Sequence, residues 1–124
     1  MRHTPSLLAS AICVAALSGG MVLAVSAPAS AADASVIEEG KKLAFDRKKG
    51  NCLACHQMAG GDLPGNIGPP LVAMKARFPD KAKLRAQIWD ATRANPNTIM
   101  PPFGRFKIVS DTEIDKIVEF VYTL

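Results

Sequence analysis

The sequence predicts an all-α fold in a single domain, and three observations carry that reading. Ser35 with Glu38, and Ser110 with Glu113, each form a Ser-x-x-Glu capping box at the head of an apolar-periodic run. No segment alternates apolar and polar residues for long enough to make a strand. Between the two runs, Gly60 to Pro70 reads GGDLPGNIGPP, whose glycines and prolines forbid a helix and a central strand alike. That stretch is expected to be an ordered loop.

The elements follow in order. The first helix is expected to begin at Ser35, to carry Val36, Ile37, Gly40, Leu43, Ala44 and Phe45, and to stop by Lys48-Lys49-Gly50. After the glycine- and proline-rich loop, Met74 falls in a short helix as a core residue. Pro79-Asp80 opens a helix expected to run to about Arg93, with Leu84, Ile88 and Ala91 on one side and Asn95-Pro96-Asn97 as its stop. A second proline-bearing loop, Thr98 to Gly104, contains Met100. In the last helix Ile114, Ile117, Val118 and Val121 keep i, i+3, i+4, i+7 spacing, and Phe120, Tyr122 and Leu124 widen the apolar face.

Residues 1–31 read as an export leader rather than as fold. Met1-Arg2-His3 is a short positive start, Leu7 to Val25 is nearly all apolar or small, and Ala29-Ser30-Ala31 is the small-x-small pattern read by signal peptidase. Gly19, Gly20 and that small-residue exit argue against a membrane anchor. Cleavage after Ala31, with Ala29 fitting nearly as well, leaves residues 32–124 as the mature domain, expected in the periplasm. Only Arg2 among the basic residues is lost, so 14 Lys and Arg face 11 Asp and Glu, a formal charge of +3. An excess this small says little about nucleic acid. Cys13 and His3 leave with the leader, and Cys52, Cys55 and His56 remain as the only cysteines and histidine. A domain this small buries a modest share of its surface, so a large apolar group at its centre would supply missing contact.

Cys52-Leu53-Ala54-Cys55-His56 is the chemistry-bearing motif. C-x-x-C-H is the attachment signature of c-type haem: two thiols about a turn apart match two vinyl groups on one porphyrin edge, and the adjacent histidine falls beneath the iron. Rival readings fit less well. Structural zinc needs about four ligands, and the mature chain offers three. A redox dithiol belongs between a strand and a helix, and no such strand is visible. A plain disulfide would close a tiny loop, stabilise little and leave His56 unexplained.

With one histidine, His/His ligation within the chain is excluded, and a methionine thioether becomes the expected second axial ligand. Met21 lies in the leader, Met58 is too near His56 to reach the far face, and Met74 is read as core. Met100 lies far enough along the chain, in a loop stiffened by Pro101 and Pro102. A ligating imidazole donates its other N–H to an acceptor, and the Pro69 carbonyl is the candidate. Lys41, Lys42, Arg47, Lys48 and Lys49 crowd the approach to the motif. They serve either to steer an acidic redox partner or simply as a solvated face. Trp89 and Tyr122 are read as core or haem-packing residues, with a propionate hydrogen bond from Trp89 as one option.

On these residues the sequence resembles the class I cytochromes c, and more narrowly the SoxX family, the small haem subunits of bacterial sulfur oxidation. The general likeness rests on Cys52-x-x-Cys55-His56, Gly68-Pro69, Met100 and the two terminal helices. The narrower one rests on AFDRKKGNCLACH (Ala44 to His56), LPGNIGPPL (Leu63 to Leu71) and MPPFGRFKIVSDTEIDKIVEFVYTL (Met100 to Leu124). The haem-binding positions follow the pattern, while Met74 to Asn97 and the leader resemble it loosely. The resemblance implies the class I fold, with terminal helices packed around one covalent haem c. It also implies a periplasmic heterodimer with SoxA, another c-type cytochrome, with no stable membrane anchor. That heterodimer is an L-cysteine S-thiosulfotransferase, joining thiosulfate oxidatively to a cysteine of the SoxYZ carrier, with electrons passing on to a small cytochrome c. With no cysteine beyond the haem anchors, the mature chain holds no sulfur-bonded intermediate and is expected to be the electron-accepting subunit. The alternative is a free-standing periplasmic carrier. A haem enzyme or gas sensor with an open iron position is disfavoured by Met100.

Overall fold

A computed structural model describes residues 31–124, and the expected leader and its cleavage point lie outside or at the edge of these residues. Among the described residues there are four α-helices: α1 Ala31–Phe45, α2 Met74–Arg77, α3 Lys81–Trp89 and α4 Asp111–Val121. Two 3₁₀ turns, Cys52–Ala54 and Ala91–Arg93, complete the regular structure, and no strand occurs among the described residues. No described helix is long and apolar enough to cross a membrane.

The last helix forms as its sequence dictates. The Ser110 hydroxyl accepts from the Glu113 N–H at 3.2 Å, and the Glu113 carboxylate accepts from the Ser110 N–H at 2.7 Å. These bonds, with a contact to Lys49, hold the Glu113 carboxyl below its ordinary range. The expected capping box at Ser35 does not form: α1 already runs from Ala31, so Ser35 lies in its interior. Ala31, Ala32 and Ala34 are strong helix formers, and Asp33 in the first turn complements the helix dipole, so the helix extends past the serine.

α1 and α4 pack against each other through Gly40. Any side chain there would collide with the Lys116 carbonyl and crowd Phe120. Phe45 meets Phe120 edge-on, with centroids 5.7 Å apart at 87°, and Lys116 pairs with Glu39 across the same contact. α3 lies along α4 with a row of ion pairs: Lys81 to Glu119 at 2.8 Å, Arg85 to Asp115 at 2.6 Å and Arg85 to Asp111 at 3.2 Å. Below them Leu84, Ile88, Ile114, Ile117, Val118, Phe120 and Val121 join Ala44, Met58, Met74, Phe103 and Val109 in one buried cluster. The C-terminus is tied in where the Met74 N–H donates to the Leu124 carbonyl at 2.9 Å.

The expected helix to Arg93 breaks at Asp90. This residue adopts an extended backbone (φ −156°, ψ 90°), and its carboxylate accepts from the Thr92 N–H at 3.1 Å, starting a 3₁₀ turn. Asp90 is buried, and Arg93 and Arg105 lie 3.7 Å from its other oxygen. The Thr92 hydroxyl, followed by the Thr92 N–H and the two guanidinium groups, lowers the Asp90 carboxyl from its ordinary value of 3.8. A side chain that bonds its own following backbone competes with the helix, and here it ends it.

Candidate functional site

The cysteine-histidine motif sits on a reversal of the chain after α1. The Gly50 N–H donates to the Leu43 carbonyl at 3.1 Å, which closes the helix. Asn51 then takes a left-handed backbone (φ 46°, ψ 36°), a region that asparagine tolerates better than most residues. The Cys55 and His56 N–H groups both return to the Cys52 carbonyl, at 3.2 and 2.9 Å. Cys52, Cys55 and His56 are therefore carried by one tight turn. α1 ends at Phe45, so the turn before Gly50 and the reversal at Asn51 separate the motif from the helix.

The loop that follows lies back along this turn. The Gly65, Gly68 and Leu71 N–H groups donate to the Leu53, Cys55 and Gln57 carbonyls, at 2.7, 2.8 and 2.8 Å. Between the last two bonds, His56 Nδ1 and the Pro69 carbonyl are 2.7 Å apart. A carbonyl only accepts, so Nδ1 carries a proton, and in the neutral ring the lone pair is then on Nε2. Gly68 makes the approach feasible, because a Cβ at that position would collide with the His56 ring.

Cys52, Cys55 and His56 line a cavity of about 700 Å³. This is within the range of pockets that enclose a whole cofactor, roughly 300–1,000 Å³. Gly68, Pro69 and Leu71 of the first loop and Thr98, Ile99, Met100, Pro101 and Phe103 of the second also line it. Leu84 and Ile88 of α3, Ile117 and Val121 of α4, and Met74 and Phe78 complete its apolar surface. From the sequence, Leu84, Ile88, Ile117 and Val121 are placed on apolar helix faces with no cofactor role. Their i, i+4 pairs, Leu84 with Ile88 and Ile117 with Val121, were visible in the sequence, but periodicity does not distinguish a face turned to protein from one turned to a cofactor.

Burial pushes the Cys52 thiol up to about 11. Redox dithiols work through a lowered thiol, so this environment opposes that reading. Among the described residues no group of three or more His, Cys, Asp or Glu side chains is arranged to hold a metal ion directly. Two thiols, an imidazole with a free Nε2, a thioether and an apolar cavity do fit a porphyrin attached by its edge.

Of the methionines, Met58 is buried in the core and does not line the cavity, whereas Met74 and Met100 do. Met74 is 1% exposed, and its sulfur lies 3.6 Å from Arg77 Nη1. Met100 is half-buried in the second loop, its N–H bonded to the Thr98 hydroxyl at 3.2 Å. Trp89 is not at the cavity: its Nε1–H donates to Asp111 at 3.0 Å, and its ring lies against Gly104 where any side chain would collide. Tyr122 also lies away from it and donates to the Pro79 carbonyl at 3.2 Å. Of the basic cluster, Arg47, Lys48 and Lys49 reach the cavity mouth, while Lys41 and Lys42 stay on α1 and Lys49 pairs with Glu113 at 2.9 Å.

The family described as cytochrome c oxidase, cbb3-type, subunit III matches residues 36–121. The chain belongs to this cytochrome c family. The cytochrome is also similar to a chain of SoxXA from P. pantotrophus, with 28% identity and a TM-score of 0.63. That likeness covers 69% of this chain and 79% of the other. No curated protein matches it. The cytochrome therefore has the class I fold, binds haem c covalently and has an electron-transfer role.

Proposed function

We propose that this cytochrome is the electron-accepting subunit of a periplasmic SoxAX-type heterodimer. It takes up electrons as thiosulfate is joined to a cysteine of a SoxYZ carrier and passes them to a small cytochrome c. One observation carries the reading: the cavity brings Cys52, Cys55, His56 and Met100 together in a fold similar to SoxXA. Joining thiosulfate to a thiolate forms one S–S bond and releases two electrons. A single haem stores one, so the complex needs a second redox centre, which a cytochrome partner such as SoxA provides. The described chain has no cysteine besides Cys52 and Cys55, so bond formation belongs to the partner.

In this reading Cys52 and Cys55 would hold the haem by thioethers, and His56 and Met100 would ligate its iron. When bound, the haem supplies a one-electron iron couple. The Pro69 carbonyl fixes the His56 ring by accepting the Nδ1 proton, which directs Nε2 to the metal. Pro101 and Pro102 restrict the Met100 backbone, so the thioether keeps its place in both redox states. A thioether paired with an imidazole favours a higher potential than two basic ligands would. Residues 1–31 are the cleaved leader that brings the chain to the periplasm.

The test is purification of the tagged mature protein from the periplasm of its thiosulfate-grown host, followed by a haem-stained gel and mass spectrometry. A stoichiometric second cytochrome supports the heterodimer; a lone monohaem protein favours a free carrier. N-terminal sequencing of the same sample reads the leader, and Met1 at the N-terminus overturns it. Met100→Ala separates the ligand question from the partner question. The variant is expected to turn high-spin, and an unchanged low-spin spectrum removes Met100 from the iron.

A further inference from the structure

The Gly68–Leu71 loop carries the acceptor for His56, and a side chain from another element grips it. Pro69 and Pro70 have no N–H, so between the bonds made by the Gly68 and Leu71 N–H groups their carbonyls are their only backbone hydrogen-bonding groups. The Pro69 carbonyl is taken by His56 Nδ1 at 2.7 Å. The Pro70 carbonyl is taken by Arg77 Nη1, also at 2.7 Å, from the last residue of α2. The same Nη1 lies 3.6 Å from the sulfur of Met74, a buried residue one turn earlier in α2. Met74 is in turn fixed to the C-terminal carbonyl of Leu124, so the arginine reaches the loop from an anchored base. Arg77 also lines the cavity.

We propose that Arg77 is a positioning residue for the iron-ligating imidazole. It acts through Pro70 and Pro69: clamping one carbonyl holds the neighbouring one at the angle and distance that His56 needs. The proposal rests on His56 being an iron ligand and not on the Sox partner. A hydrogen bond from a charged donor is about twice as strong as a neutral one, and within the Pro69-Pro70 pair only the carbonyls can be held by hydrogen bonds. Arg77 is exposed apart from these contacts, so replacing it opens no hole in the core.

The experiment uses the full mature holoprotein in its diamagnetic ferrous state and follows solvent exchange of the His56 Nδ1 proton by NMR. Arg77→Met keeps the apolar stem and removes the donor and charge. It is expected to speed exchange about tenfold, in line with loss of one charge-assisted hydrogen bond. Arg77→Lys keeps a charged donor and is expected to restore most of the protection. Urea unfolding of both variants provides the control, with stability expected close to wild type. The proposal is overturned if exchange in Arg77→Met stays within about twofold of wild type, or if its rise follows global unfolding. His56→Ala in otherwise wild-type protein tests the ligation separately: an unchanged low-spin spectrum would remove the premise without reference to Arg77.

Discussion

The helical scaffold and the two cavity loops are held by different forces. Where α1, α3 and α4 meet, order comes from apolar side chains at helical spacing, and Ile114, Ile117 and Val118 are almost wholly buried. The loops around the cavity bury little of their own. Leu63 is 93% exposed and Ile99 73%, and the first loop is fixed mainly by backbone bonds to Leu53, Cys55 and Gln57. Packing sets the stability of the first region, and proline stiffness with a few directed hydrogen bonds sets the geometry of the second. Substitutions in the scaffold are therefore expected to act on folding, and substitutions in the loops on the haem spectrum.

The largest effect comes from removing the anchors. Cys52→Ala with Cys55→Ala is expected to abolish covalent haem, read as complete loss of the stained band on a denaturing gel; a retained band would break the attachment assignment. Next come two glycines that compare the regions directly. Gly40→Val forces a side chain into the Lys116 carbonyl and is expected to lower stability by about 1–3 kcal/mol in urea titration, with the haem spectrum of the folded fraction unchanged. Gly68→Ala puts its methyl into the His56 ring. It is expected to change the low-spin spectrum first, with a smaller loss of stability. If the two variants gave the same pattern, the division between scaffold and loops would fail.

A smaller effect sharpens the boundary between the regions at Asp90. Its folded carboxyl titrates below the ordinary 3.8, so folding favours the ionised form. That contribution is fully present above the ordinary value and is lost as pH falls through the folded one. Melting curves of Asp90→Asn are therefore expected to lie below wild type at neutral pH and to approach it in acid. A gap that is constant with pH would show that the carboxylate charge is not responsible. The smallest effect belongs to the surface pairs: Lys81→Ala removes the bond to Glu119 and a contact 4.7 Å above the Tyr122 ring. Both partners are half-exposed, and the loss is expected to be under about 1 kcal/mol. A larger loss would mean that the α3–α4 ion pairs act as a network.

Much of the molecule was determined by the sequence alone, for local reasons. The α4 capping box involves atoms three residues apart, the cysteine-histidine spacing is set within one turn, and GGDLPGNIGPP excludes regular structure through its own backbone limits. Other features needed the tertiary structure. Ser35 carries the same local signal as Ser110, yet it lies inside α1, because the alanine-rich residues before it also favour helix. The end of α3 depended on Asp90 bonding its own following backbone, which an apolar pattern does not register. Of the two readings for Trp89 and Tyr122, the core one holds: both pack against the core and bond to polar partners on neighbouring elements rather than lining the cavity. Leu84, Ile88, Ile117 and Val121 line the cavity only because α3 and α4 turn those faces to it, and Arg77 meets Pro70 only because α2 is tied to the C-terminus. A contact across seven residues or seventy depends on the path of the chain between them. Local chemistry therefore determined which groups this cytochrome brings to its cavity, and long-range packing decided what surrounds and steadies them.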